Sequence, residues 1–258
     1  MHDARDILIA LAIKHKGNWN SIYRDASRNE IPEEYYFEEA RNMSCQAVTM
    51  IDPHYPHFLK AVFKAPFVLF YYGDLSIISD YQHNISVVGS RLNSEYGERI
   101  TKEIVGGLAE KGYSIISGMA IGIDTIAHWA CINAGSKTCA ILGCGIDFCY
   151  PSSNEDLYKL LKQNHLVISE YPGTTTPSPE YFPIRNRLIA GLSKTLVLTE
   201  AGYKSGSLIT ASLALRGNSD VMCVPTQAGN ESACNRLIMC GAYLVESAED
   251  VLNQMQPF

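Results

Sequence analysis

A chain of 258 residues suits one large α/β domain, alone or with a small extra one, and can bury a core without disulfide or metal staples. Its hydrophobic fraction of 47% is ordinary for a globular protein. No apolar run approaches the ~20 residues of a membrane span, and the start lacks a signal-peptide cleavage pattern, so a soluble, cytoplasmic protein is expected. The net charge of −6 leans against a nucleic-acid binder and is spread evenly: 8 basic and 11 acidic residues over 1–80, then 13 and 16, give −3 each. Any anion-binding patch must therefore be made by the fold.

In chain order, residues 1–45 read as short helices. Ile7, Leu8, Leu11 and Ala12 supply one apolar face, and PEEYYFEEARNM supplies a further, acidic and aromatic helix. Residues 51–74, with three prolines and many aromatics, read as a tightly packing linker. The expected division is a small helical domain with its linker over residues 1–75, then a second domain over 76–258. From Ile85 the pattern alternates. Apolar β-rich runs at 85–89, 113–117, 137–142, 166–169, 195–199, 220–224 and 242–245 are separated by helical stretches. Those stretches cover 94–111, 122–134, 154–163, 185–192, 207–217, 233–240 and 247–254. Strands apolar throughout imply a parallel sheet covered on both faces, and β/α alternation implies a doubly wound, Rossmann-like α/β fold. The eight cysteines contain no C-x-x-C pair and read as small buried hydrophobes. No metal and no cofactor is expected.

In such a sheet ligands bind beyond the carboxyl ends of the strands. Four strands here are followed by glycine-bearing turns. These hold Gly89, Ser90 and Arg91; Gly118; Gly143 and Gly145; and Gly202 to Ser207, which includes Lys204, Ser205, Gly206 and Ser207. Glycine lets backbone N–H groups approach a ligand, and helix N-termini add free donors and partial positive charge. With Arg91, Arg185, Arg187 and Lys204 nearby, the four turns read as an anion platform. A turn that simply reverses the chain and caps a helix uses the same residues. Arg185 and Arg187 are two apart on a helix and diverge by about 200°. Arg185 is expected on the platform, and Arg187 is expected to fix the loop by pairing with an acid or a carbonyl. Tyr171, Tyr181, Phe182 and Tyr203 lie in or beside the same loops, where each serves either stacking or the core.

Several chemistries are excluded by spacing. The phosphate loop G-x-x-x-x-G-K-[ST] is absent, and Gly143-Cys144-Gly145 has Phe148 where a dinucleotide fingerprint needs its third glycine. Gly202-Tyr203-Lys204-Ser205-Gly206 puts two residues before the serine where a nucleophile elbow has one. Asp124 and His128, four apart, share a helix face, and read as a cap and a packed ring, since no nucleophile accompanies them. An anion platform without a catalytic set suits a polymer of phosphates that is held and not cut, such as single-stranded nucleic acid.

These motifs resemble a known family. Gly89-Ser90-Arg91, SGMAIGIDTIAH, LGCGIDFCYPSSNEDL, ISEYP, FPIRNRLIAGLS, SGSLITASLA and NRLIMCGAYLV keep the order and spacing of the DNA-processing protein A (DprA/Smf) family over about residues 50–250. The resemblance implies an extended Rossmann-like core preceded by a small helical, sterile-alpha-motif-like domain. It also implies single-stranded-DNA binding, protection of incoming strands in natural transformation, loading of the RecA recombinase, homodimers and no enzyme activity. Arg91, the Arg185-Asn186-Arg187 motif and Ser205-Gly206-Ser207 match its DNA-associated positions. Ser152, where relatives often carry a base, Thr226 and Ala233 depart from the pattern, and Lys159 or Lys162 is the expected substitute for the missing charge. A mononucleotide-cleaving enzyme of related fold is the rival reading. Its P-G-G-x-G-T-x-x-E motif is absent, and Glu200 is the one acid at that place. A purely structural, partner-binding domain is a third reading without positive support.

Overall fold

The computed structural model describes residues 2–255, so residue 1 and residues 256–258, at the outer ends of the two expected domains, lie outside the described residues. The chain starts with helices α1 (Ala4–Lys14), α2 (Trp19–Ser27) and α3 (Glu34–Arg41), then strands β1 (Gln46–Thr49) and β2 (Val68–Gly73). The alternating part follows as β3 (Asn84–Val88), α4 (Glu95–Glu110), β4 (Ser114–Ser117), α5 (Ile123–Asn133), β5 (Thr138–Ile141), α6 (Glu155–Asn164) and β6 (Leu166–Ser169). It ends with α7 (Tyr181–Gly191), β7 (Thr195–Leu198), α8 (Ser207–Arg216), β8 (Asp220–Cys223), α9 (Ala233–Met239), β9 (Tyr243–Leu244) and α10 (Ala248–Met255).

One nine-stranded sheet holds all these strands, in the order β1-β2-β6-β5-β4-β3-β7-β8-β9. From β6 to β9 every pair is parallel, whereas β2 is antiparallel to both β6 and β1. Each strand expected from Ile85 onward forms. The segment read as a linker contributes β2, so the sheet runs across the expected division at residue 75. Phe70 pairs with Ser169 and Tyr71 with Ile168, which seats the 46–73 segment on the edge of the alternating part.

Both faces of the sheet are covered, which is why its strands are apolar in both directions. On β3, Ile85 and Val87 face α4 and α5, while Val88 packs with α7 and α8. The polar residues of β3 position α7. The last carbonyls of a helix lack helical partners. Ser86 donates to Ile189 O at 2.6 Å and Asn84 to Leu192 O at 3.0 Å. α7 begins four residues earlier than the sequence suggests, because Pro183 sits in its first turn, where no backbone donor is needed.

The strand order reverses between β3 and β7, one leading outward to β4 and the other to β8. This topological switch point leaves a crevice beyond the carboxyl ends of the two strands.

Candidate anion-binding cleft

A cleft of about 1010 Å³ occupies the switch point. The turn after β3 supplies Gly89, Ser90, Arg91 and Leu92, α7 supplies Phe182, Pro183, Arg185 and Asn186, and the β7–α8 turn supplies Gly202 to Ser207. Of the thirteen expected site residues, Gly118, Gly143, Gly145 and Arg187 are not among those lining it.

The turn that carries Arg91 is fixed from three sides. Ser90 N–H donates to Glu200 O at 2.7 Å, and Ser90 O accepts from Ile123 N–H at 3.1 Å. Gly122, at φ +81°, makes the second contact possible, since a Cβ there would meet Ser90 O and stand 2.9 Å from Arg91 Cα. Arg91 is exposed, and its guanidinium carbon lies 5.6 Å from the Phe182 ring centroid, a cation–π contact that holds it over the cleft.

The expected four-turn platform of backbone donors is unevenly built. Gly118 N–H and Ala120 N–H already donate to Asp124 Oδ2, at 3.2 and 3.3 Å. Gly145 N–H donates to Thr175 O at 2.7 Å. These glycines serve packing. A Cβ on Gly118 would stand 2.5 Å from Arg185 Nη1, one on Gly143 would stand 2.7 Å from the Phe182 ring, and one on Gly145 would meet Gly173 O and Thr175 N. The β7–α8 turn is different. A Cβ added to Gly202 or Gly206 would have nothing within 4 Å, and the N–H groups of Tyr203, Lys204 and Gly206 have no partner among the described residues.

The two α7 arginines divide. Arg187 is 6% exposed and grips Glu170 bidentately, at 2.5 and 2.6 Å, while donating to Phe63 O, Lys64 O and Ile184 O. Arg185, 4% exposed, is part of the cleft wall. Its Nη1 donates to Gly118 O at 2.7 Å and to Ile141 O, and its Nε donates to Asn186 Oδ1 at 3.2 Å. Asn186 in turn donates to Gly206 O at 3.4 Å, tying α7 to the β7–α8 turn. Arg185 forms no ion pair among the described residues. Burial pulls its guanidinium below the usual value, against the attraction of Asp124. Burial likewise pushes the Asp124 carboxyl above its usual range, opposed by Arg185. The charged lining is thus Arg91, Arg185 and Lys204 against Asp124 and Glu231, a positive excess in a chain of net charge −6.

Other expectations resolve locally. His128 is fully buried. The Thr138 hydroxyl gives its proton to Ile115 O, so it accepts from His128 Nδ1–H at 2.7 Å. Burial, reinforced by His165 and Arg185, pushes the ring down to about 3. Asp124 and His128 are therefore a turn brace and a core ring. Glu200 accepts from Ser94 N–H and Oγ–H, at 3.0 and 2.9 Å, and so anchors the start of α4. Lys159 pairs with Glu155 at 2.7 Å and Lys162 lies 3.6 Å from the Tyr72 ring centroid, so neither reaches the cleft in place of Ser152. Tyr171 is buried and stacks on Tyr181 at 4.2 Å, while Phe182 and Tyr203 line the cleft. Leu92, 87% exposed, puts further apolar surface on the same cleft together with Tyr150 and Ile209, and none of the three is among the residues expected there. Their one signal in the sequence is proximity to the glycine turns.

Fold and cleft define a doubly wound protein whose switch point presents cations, exposed aromatic rings and backbone donors without a partner among the described residues. The model of the family described as DNA recombination-mediator protein A matches residues 46–256. The DNA processing protein DprA of Streptococcus pneumoniae is 40% identical over 210 residues, 81% of this chain and 73% of that protein. The Bacillus subtilis DprA is 34% identical over 244 residues, 92% and 82% of the two chains. The Synechocystis Smf protein is 36% identical over 233 residues, and the match spans only 58% of its length. The solved Streptococcus pneumoniae DprA structure aligns with a TM-score of 0.82 at 30% identity, over 98% of this chain and 94% of that one. The DNA processing protein A of Helicobacter pylori, whose structure is described for its single-stranded-DNA binding mode, aligns at 0.73 and 28% identity, over 83% and 96%. This chain belongs to the DNA recombination-mediator protein A family.

Proposed function

We propose that this chain binds single-stranded DNA in the switch-point cleft, as a recombination mediator and without catalysis. The observation that carries the reading is the positive excess of Arg91, Arg185 and Lys204 in an acidic chain, set beside the free N–H groups of Tyr203, Lys204 and Gly206. Arg91 and Lys204 are exposed and meet phosphates directly, while Arg185 contributes its charge from the wall. Phe182, Tyr150 and Tyr203 offer bases a face to stack on. Phosphate contacts carry no base information, so sequence preference is low. The single-stranded-DNA binding mode of the Helicobacter pylori protein and the family's description as recombination mediators support the same reading. The chain then acts in the cytoplasm, and among the described residues no helix is long and apolar enough to cross a membrane. It hands the strand to the RecA recombinase and works as a homodimer, for which the exposed Met239, Tyr243 and Leu244, in and just before the edge strand β9, are the candidate apolar contacts.

The test is salt. Each phosphate contact on a single strand adds about −0.7 to the slope of log affinity against log salt. Arg91→Ala weakens binding and flattens the slope by that amount. A variant that binds as the parent does at every salt concentration would remove Arg91 from the site.

A further inference from the structure

The cleft leaves one feature of the α7 arginine pair unused. Arg187 lies outside the cleft, yet it fixes the backbone of Phe63 and Lys64 through their carbonyls, at 3.0 and 2.7 Å. Lys64 is held at φ +53°, a conformation that costs a non-glycine residue energy unless its surroundings impose it. The consequence is a small platform. The Lys64 ammonium lies 5.5 Å from the Trp19 ring and 5.7 Å from the Phe63 ring, and donates to Asn20 Oδ1 at 2.8 Å. Trp19 stacks on Tyr23 at 5.1 Å. Part of this joins α2 to the sheet, for Trp19 Nε1–H donates to Ala65 O at 2.8 Å. Joining does not explain why Phe63 is 76% exposed and Tyr23 54% exposed.

We propose that single-stranded DNA leaving the cleft continues along the first turns of α7 onto this platform, where bases stack on Phe63 and Tyr23 and Lys64 faces the backbone. The inference rests on the cleft being the primary strand-binding site. Two observations name the occupant. The first is continuity: Phe182 lines the cleft, and two residues later Ile184 O and Phe63 O accept from the same Arg187 guanidinium, at 2.9 and 3.0 Å. Exposed Ile184, between the cleft-lining Pro183 and Arg185, thus shares that guanidinium with Phe63. The second is charge: Lys64 on the platform, and Lys60 four residues before it, form no ion pair among the described residues, which suits a polyanion. Aromatic faces beside such cations are sequence-tolerant base platforms. Arg187 and Glu170 are positioning residues here.

The experiment compares oligothymidylates of about 5 and about 20 nucleotides, near the lower end of and beyond the ~4–16 that single modules occupy. Phe63→Ala is expected to leave the short strand unaffected, which also shows that the variant folds, and to weaken the long strand at least about fivefold, the loss for one stacked base. Lys64→Gln flattens the salt slope by about 0.7 for the long strand alone. In a Trp129→Phe background, Trp19 fluorescence responds to the long strand only. Equal binding of the long strand by parent, Phe63→Ala and Lys64→Gln overturns the inference, as does equal weakening of both lengths by Phe63→Ala. Failure of the cleft reading is separate: Arg91→Ala would then leave both lengths unchanged, and the proposed route out of the cleft would fall with it.

Discussion

The turns after β5 and β7 share a glycine pattern and are packed in opposite ways. Both follow an apolar parallel strand and both carry two glycines. After β5, Gly143 and Gly145 exist so that the Phe182 ring and the 173–175 backbone can press against them. After β7, Gly202 and Gly206 face open space beside donors that have no partner among the described residues. The difference lies in what the fold lays over each turn. The chain between β6 and α7 returns across the β5 end of the sheet, with Gly145 bridged to Tyr171 in parallel. The β7 end is left uncovered at the switch point. Glycine in a strand–helix turn signals close approach, and only the covering chain decides whether the thing that approaches is protein or ligand.

The sharpest way to break this contrast is on the closed side. Arg187→Ala leaves Glu170 as an uncompensated buried charge and is expected to cost about 3–5 kcal/mol in urea unfolding, with the paired replacement Arg187→Met, Glu170→Gln costing less. Gly145→Ala drives a methyl into backbone on both sides and should cost about 3 kcal/mol in the same assay, at the upper end of overpacking. A loss below about 0.5 kcal/mol would mean that the β5 turn is open after all, by the usual standard for surface sites.

Next in size is pH. The folded His128 ring is pushed down to about 3 while the unfolded ring titrates near 6.5. Its neutral form is the one that fits, so its contribution is complete above about 6.5 and falls away as pH drops toward 3. Unfolding takes up one more proton in that window, worth about 1.4 kcal/mol per pH unit. Relative to His128→Gln, the parent should lose stability with about that extra slope between pH 6 and 4. Parallel curves would show that the ring is protonated in the folded chain. The smallest effect belongs to the open side. Gly206 sits at φ −61° with free space around it, so Gly206→Ala should stabilise the chain by about 0.4–1 kcal/mol, read as a raised urea midpoint. A destabilised Gly206→Ala would show that the β7 turn is packed, and the two turns would no longer differ.

Much of the molecule is determined by the sequence alone. Apolar strands alternating with capped helices define the doubly wound core, because strand burial on both faces and the 3.6-residue helix period both leave marks in one dimension. The same holds for the place of Arg91 after β3 and of the S-G-S turn after β7 on the switch-point cleft, since such clefts open beyond strand ends. Tertiary structure alone decided three things. β1 and β2 were illegible because QAVT is too short to show a period and VLFYYG stands in a proline-rich, aromatic stretch that reads as packing. Helix geometry already separates Arg185 from Arg187 in the sequence, but which groups hold them, Gly118 O and Ile141 O for the one and Glu170 with the 63–64 backbone for the other, depends on where β4, β5 and that backbone stand around α7. The roles of the glycines depend on which chain lies over them. Local sequence fixes what a residue is able to do, and burial and partners, set by segments from 17 to 124 residues away in the chain, fix what it does.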